Sequence, residues 1–291
     1  MNKISYSQYS TWANCGWAWK LKYVDGHKID DTSINTIFGS AIHEVIQEWL
    51  DTLYNKSESI AKTVYLHDTF KDKLIGLFKN KIIITENGEK VFLSDKKTLM
   101  EYYEQGCQIL TYVQNNYKKI FPTSNTTLYG IEYELNAEVR PGVKYVGYID
   151  IVTYNKATKK YVLYDLKTSR SGWTADQKRD PTKVGQLLLY KRFFAEQVGV
   201  EEKDITVEFV ILKRTIYEDS PYPIPRVSKF EPPNGTPSLN KTWAALDKFV
   251  NSAFDAQGNH NPDQTPSPSK NACRWCVFKD RKDLCAFGVS K

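Results

Sequence analysis

The sequence predicts an α/β chain, with a mixed central sheet flanked by helices. Three observations predict it. Three β-forming runs, LYGIEYELNAEV, YVGYIDIVTY and KYVLYDLKT, follow one another closely and read as an antiparallel meander. A helical run, PTKVGQLLLYKRFFAEQVG, then leads into another buried strand, ITVEFVILKR. Apolar residues at helical spacing dominate the chain before the meander.

Taken in order, ISYSQYSTWANCGWAWKLKYVDG reads as a helix capped by Ser5 or Ser7. In TIFGSAIHEVIQEWLDTLY, residues Ile42, Val45, Ile46, Trp49, Leu50 and Leu53 form one apolar stripe. Residues 60–121 continue mostly helical, broken by KIIITENGEKVFLS, where Asn87-Gly88 signals a turn between β-formers. Residues 44–127 as a whole are expected to be a mainly helical insertion. Beyond the second helix and strand, residues 218–238 are rich in Pro and Ser and read as loop. WAALDKFVNSAFDAQ follows as a helix, and GNHNPDQTPSPSK as a flexible linker to a Cys-rich tail at 270–291. All of this is expected to form one domain, 1–291.

Hydrophobic residues make up 41% and charged residues 25%, which is ordinary for a globular protein. No apolar run approaches the ~18 residues of a membrane span. The opening MNKISYSQYS has no apolar signal-peptide core, so the expected location is cytoplasmic. In that reducing setting, five cysteines do not suggest a disulfide framework. A net charge of +6 permits a polyanionic partner without requiring one.

The meander carries the chemistry. If the turn NKATKK is centred between Ala157 and Thr158, Asp150 falls opposite Asp165, with Cβ atoms ~5 Å apart. Alternation puts Lys167 on the Asp165 face, and Ile149, Ile151, Tyr164 and Leu166 on the other. Two carboxylates that close repel one another unless a cation lies between them. Hard oxygen ligands suit magnesium or manganese, and a neighbouring lysine could orient a water or stabilise charge on a phosphate. The plainer alternative is a solvent-facing hairpin with an ordinary Asp–Lys pair. Glu132 could add a third carboxylate, although Glu134, two residues on, would share its face. His43 lies on the second helix. Gln186 and Tyr190, four apart, share a helix face.

In order, FGSAIH, GYID, DLK and QLLLY resemble the RecB-like branch of the PD-(D/E)XK nuclease superfamily. The cysteines extend the resemblance to its iron–sulfur members, which include AddB-type helicase-nucleases and CRISPR-adaptation nucleases. Cys15 lies near the N-terminus, and Cys273, Cys276 and Cys285 lie in CRWCVFKDRKDLC. The resemblance runs from about Ile4 to Cys285. Two departures stand out: Ile149 replaces the proline before the first aspartate, and the gap between Cys276 and Cys285 is long for this cluster.

What the resemblance implies is a PD-(D/E)XK core and metal-dependent hydrolysis of DNA phosphodiesters, with exonuclease action in recombination, repair or end processing. His43, Asp150, Asp165 and the Leu166 carbonyl would hold Mg²⁺ or Mn²⁺, with Glu132 joining through water. Lys167 would position the nucleophile, and Gln186 and Tyr190 would support the site or contact the strand. Cys15, Cys273, Cys276 and Cys285 would hold a 4Fe-4S cluster. Four thiolates alone would serve structural zinc equally well. Cys107, in EQGCQIL, is expected to be a core thiol.

Lys167, Arg170, Lys178, Arg179, Lys183, Lys191 and Arg192 follow closely around Trp173, and SRSGWTADQKRDPTK is expected to be a loop beside the site. That mixture suits DNA with a free or single-stranded end, with a base stacked on Trp173. A helicase or recombination protein is a possible partner. Two rival readings are a nuclease-fold subunit that binds DNA ends with little activity of its own, and a zinc-tailed interaction protein.

Overall fold

The computed structural model describes residues 1–27, 29, 32–84, 87, 89–217, 222 and 224–289. Strand β1 (Asn2–Ile4) leads into α1 (Tyr6–Asn14), α2 (Gly16–Trp19) and a π-helical turn over Lys20–Val24. Of the two candidate caps, it is Ser5 that accepts from Gln8 N at the start of α1. The expected stripe of α3 (Ile34–Asn55) is buried in full. Then come α4 (Glu58–Thr63), α5 (Leu66–Lys79), a two-stranded pair β2 (Ile83–Ile84) and β3 (Lys90–Val91), and α6 (Lys96–Ile120). Gly88 of the expected turn between β2 and β3 lies outside the described residues.

The meander forms as β4 (Thr126–Arg140), β5 (Val143–Asn155) and β6 (Lys160–Ser169). After it come α7 (Ala175–Arg179), α8 (Pro181–Val198), a 3₁₀ turn at Glu202–Asp204, and β7 (Ile205–Lys213). The segment read as a loop beside the site is therefore largely helical: Thr174 and Gln177 close a capping box on α7, and Asp180 caps α8. Residues 218–221 and 223, in the expected Pro/Ser-rich loop, lie outside the described residues. Beyond them, however, β8 (Val227–Phe230) is a strand, and α9 (Thr236–Ala253) begins with Pro237 in its first turn. The polar stretch before α10 (Lys270–Arg274) is not a free linker. Gln264 is buried, donating to the Ser252 carbonyl and accepting from Trp12 Nε1.

The sheet is mixed, as expected. Its order is β1-β5-β6-β7-β8, with β4 along the other edge of β5; β1 and β7 run parallel to their neighbours β5 and β6. Helices α3 to α6 cover one face, burying Ile151, Tyr164, Leu166, Val210 and Leu212. Helices α1, α8 and α9 cover the other, over Tyr145, Ile149, Leu163, Val207 and Phe209. Ile149 and Ile151 thus enter opposite layers. The expected strict alternation fails at Asp150, where β5 changes neighbours.

Candidate active site

Strand β5 has one edge paired along its length to a single strand and one edge divided between two. Along the first it pairs with β4. Along the second it pairs with β1 at Val143–Tyr145 and with β6 at Ile151–Asn155, leaving residues 146–150 outside any ladder on that side. The β5–β6 register runs Asn155↔Lys160 to Ile151↔Tyr164, so the next step would set Asp150 opposite Asp165. The ladder stops there and the strands fork.

Side chains take over the missing main-chain partners, as buried backbone groups require. Asp150 Oδ2 accepts the Leu166 N–H at 2.6 Å. The backbone of Tyr148 hydrogen-bonds the Tyr190 hydroxyl of α8. For that ring to reach the strand, Gly147 must be glycine: a Cβ there would stand 2.7 Å from Tyr190 Cε1. Gly185 serves the same purpose one helix turn before Leu189, since a Cβ there would meet the Tyr6 hydroxyl at 2.9 Å. That hydroxyl donates to the Thr182 carbonyl and ties α1 to the start of α8.

A polar chain crosses the fork. Lys167 Nζ lies 2.7 Å from Asp165 Oδ2 and donates to Gln186 Oε1 at 3.0 Å, and Gln186 Nε2 donates to Tyr190 at 2.9 Å. Apart from the Lys167 ammonium, the buried Asp165 Oδ2 has no partner among the described residues. His43 comes from α3, with Nδ1 3.8 Å from Asp150 Oδ2. Gln47, one turn further along α3, donates to Glu132 Oε1 at 2.6 Å and to the Asp150 carbonyl at 3.3 Å. Glu132 has a left-handed backbone, φ 46°, which breaks the β4 alternation. Both Glu132 and Glu134 are exposed, but Glu132 is engaged by Gln47, while Glu134 pairs with Tyr148 along the β4–β5 ladder.

The electrostatics follow from burial. Burial pushes the Asp165 carboxyl up to about 6; Lys167 pulls it back and Asp150 adds to the rise. Burial likewise lifts Asp150 to about 6, opposed by Lys167 and the Leu166 N–H. It lowers His43 to about 4, which leaves the imidazole neutral at pH 7. Burial works against the Lys167 charge too, but Asp165 and Asp150 outweigh it and hold the ammonium above its ordinary value.

The fork thus brings together His43, Glu132, Asp150, Asp165, Leu166, Lys167, Gln186 and Tyr190. Reading the sequence missed Gln47 and the Tyr190 approach at Gly147. Gln47 did leave a signal, as a polar residue one turn after His43 inside an apolar stripe. The donor set of carboxylates, carbonyl and neutral imidazole suits a hard divalent cation. Among the described residues, no three His, Cys, Asp or Glu side chains are arranged closely enough to enclose an ion. In this arrangement Lys167 supplies the positive charge beside Asp165.

The cysteines gather near the start of α8, where Cys15 and Cys276 share a cleft with Asp180 and Lys183. Cys15, Cys273, Cys276 and Cys285 line one small cavity with Trp17, Leu21 and Phe278. All are free thiols. Burial raises the Cys276 thiol, and Cys15, Cys285 and Cys273 add to the rise. Trp17 already fastens the two chain ends, donating to the Leu284 carbonyl and packing edge-on against Phe287. Cys107 lies elsewhere, on α6 beside Tyr103, with its thiol raised by burial.

Trp173 is not a free stacking surface. Its ring packs 4.9 Å from Phe209 and 6.4 Å from Phe230, with Lys183 at 5.7 Å.

A model of the PD-(D/E)XK nuclease superfamily matches residues 3–281, nearly the whole chain. The chain belongs to the PD-(D/E)XK nuclease superfamily. Its fold is similar to the crystal structure of the "putative exonuclease" from Eubacterium rectale, with a TM-score of 0.51 at 13% identity over 85% of this chain and 78% of that one. No curated protein matches. Among the described residues, no helix of this nuclease-family chain is long and apolar enough to cross a membrane.

Proposed function

We propose that this chain is a RecB-like, divalent-metal-dependent DNA nuclease that works from a free end, as an exonuclease in recombination, repair or end processing. The observation that carries the reading is the convergence of Asp150, Asp165 and Lys167 where β5 and β6 fork. Magnesium or manganese would be held by Asp150, Asp165, the Leu166 carbonyl and His43, with Glu132 at the margin. When bound, such a cation neutralises phosphate charge and makes water more acidic.

The chain's own residues do the rest. The ammonium of Lys167, held charged by two carboxylates, is suited to stabilising the anionic phosphate rather than to taking a proton. Gln186 fixes that ammonium, and Tyr190 fixes Gln186. Gln47 fixes Glu132 and the Asp150 main chain.

The cysteine cavity is proposed as a 4Fe-4S site, with structural zinc as the alternative, because its donors are four soft thiols from both chain ends. Iron, sulfide and zinc analysis of anaerobically purified protein separates the two. The principal test is incubation with end-labelled single- and double-stranded DNA in Mg²⁺, Mn²⁺ or EDTA. Cleavage that needs a metal and disappears in Asp165→Ala is the expected result. Metal-independent retention of DNA ends without cleavage would favour the end-binding subunit instead.

A further inference from the structure

The cysteine-bearing end also carries an open cleft of about 580 Å³ between the first helices, the start of α8 and the tail. Its charges are lopsided: Lys22, Lys183 and Arg274 face one carboxylate, Asp180. Asp180 is already engaged, accepting from the Thr182 N–H and hydroxyl at 2.9 and 2.7 Å as the cap of α8. At the rim stands Trp275, 80% exposed. The guanidinium of Arg274 lies 5.1 Å from the centre of its ring. Arg274 also lines a second cleft on the tail, with Lys270, Lys279 and Lys282 against Asp280 as the one carboxylate of its lining. A band of cations therefore surrounds an indole that fills no core, the reverse of Trp173 against Phe209.

An exposed aromatic among cations that outnumber the nearby carboxylates has the chemistry of a nucleic-acid strand site: the ring takes a base face and the cations take phosphates. Bases inside a duplex have both faces covered by their neighbours, whereas every base of a single strand can offer a face to the indole, so the favoured occupant is a single strand. Helix α8 relates the cleft to the fork. Lys183 and Gln186 are three residues apart on α8, about 4.5 Å along its axis. Gln186 in turn holds Lys167.

We propose that this cleft holds a single DNA strand, one base stacked on Trp275 and its phosphates paired with Lys22, Lys183 and Arg274, leading along α8 to the fork. The proposal rests on the nuclease reading of the fork and names how its substrate is held.

The test is fluorescence anisotropy of the full chain in EDTA, with a labelled oligothymidylate and a duplex of equal length. The parent is expected to bind the strand more tightly than the duplex. Trp275→Ala is expected to weaken strand binding roughly tenfold, with Trp275→Phe recovering most of the loss. Lys183→Ala and Arg274→Ala are each expected to reduce the salt dependence by about 0.7 in log–log slope. Binding by Trp275→Ala within about twofold of the parent overturns the proposal. So does dissociation of a self-associated parent by that substitution with DNA binding intact, which would make Trp275 a protein contact. A measurement without any variant is photocrosslinking of the parent to a 5-iodouracil strand: an adduct on Trp275 supports the proposal, and adducts only elsewhere overturn it. Hydrolysis of bis(p-nitrophenyl) phosphate in Mn²⁺ by the parent, compared with Asp165→Ala, tests the catalytic reading separately. That small diester makes no use of the cleft.

Discussion

Asp165→Asn should make the metal-free protein more stable while abolishing cleavage. The carboxylate is 2% exposed, has the Lys167 ammonium beside Oδ2, and is pushed up by burial to about 6 from 3.8. Folding therefore favours the protonated form, and the folded state binds more protons than the unfolded chain between those two values. Stability is unaffected by this group below about pH 4, falls as pH rises through the window, and carries the full cost above about pH 6. A shift of roughly two units, at 1.36 kcal/mol each, amounts to about 3 kcal/mol at pH 7.5. The pull of Lys167 is already included in that figure, because it acts on the same titration. An asparagine mimics the neutral acid, so the variant escapes the cost. Urea unfolding in EDTA is expected to show a gain of about 2–3 kcal/mol at pH 7.5 and almost none at pH 4. Adding Mn²⁺ should stabilise the parent and leave the variant nearly unchanged, since only a ligand that binds the folded state shifts its stability. Equal stability of parent and variant at pH 7.5, or the same gain at both pH values, would refute the reasoning; the second outcome would make the effect one of packing.

Further outcomes follow from the same geometry. Lys167→Met removes the cation facing both carboxylates, so they titrate higher still, and the variant should lose cleavage and unfold more readily at pH 8 than at pH 5, as read by urea midpoints. Gly147→Ala drives a methyl into Tyr190 and should cost about 1–3 kcal/mol in the same assay, with cleavage falling as Gln186 and Lys167 shift. Gln47→Leu frees Glu132 and should raise the Mn²⁺ concentration for half-maximal cleavage roughly tenfold. Cys15→Ala should remove metal bound at the tail and lower the melting temperature, whereas Cys107→Ala should leave metal content unchanged, by elemental analysis.

Local chemistry made much of the molecule legible in its sequence. Periodicity located α3, α8 and β7, and the hairpin arithmetic gave the register that the β5–β6 ladder follows from Asn155 to Ile151. What escaped was whatever depends on a partner distant in sequence. Residues 227–230 look like loop until β7 offers them an edge. Trp173 looks like a free platform until Phe209 and Phe230 close on it. The polar stretch around Gln264 looks mobile until Ser252 and Trp12 engage its amide. The site itself shows why the limit falls there. Its distinguishing feature is withheld pairing: an edge of β5 between two partners, where Asp150 and Tyr190 satisfy main-chain groups that a strand would otherwise satisfy. Alternation assumes an unbroken sheet, and so it put Ile149 on the wrong face at that break. The carboxylates were found because acids in buried strands are costly and therefore conspicuous. The gap that puts them to use is a property of the topology, written in glycine at 147 and a left-handed Glu132, residues that only the assembled sheet explains.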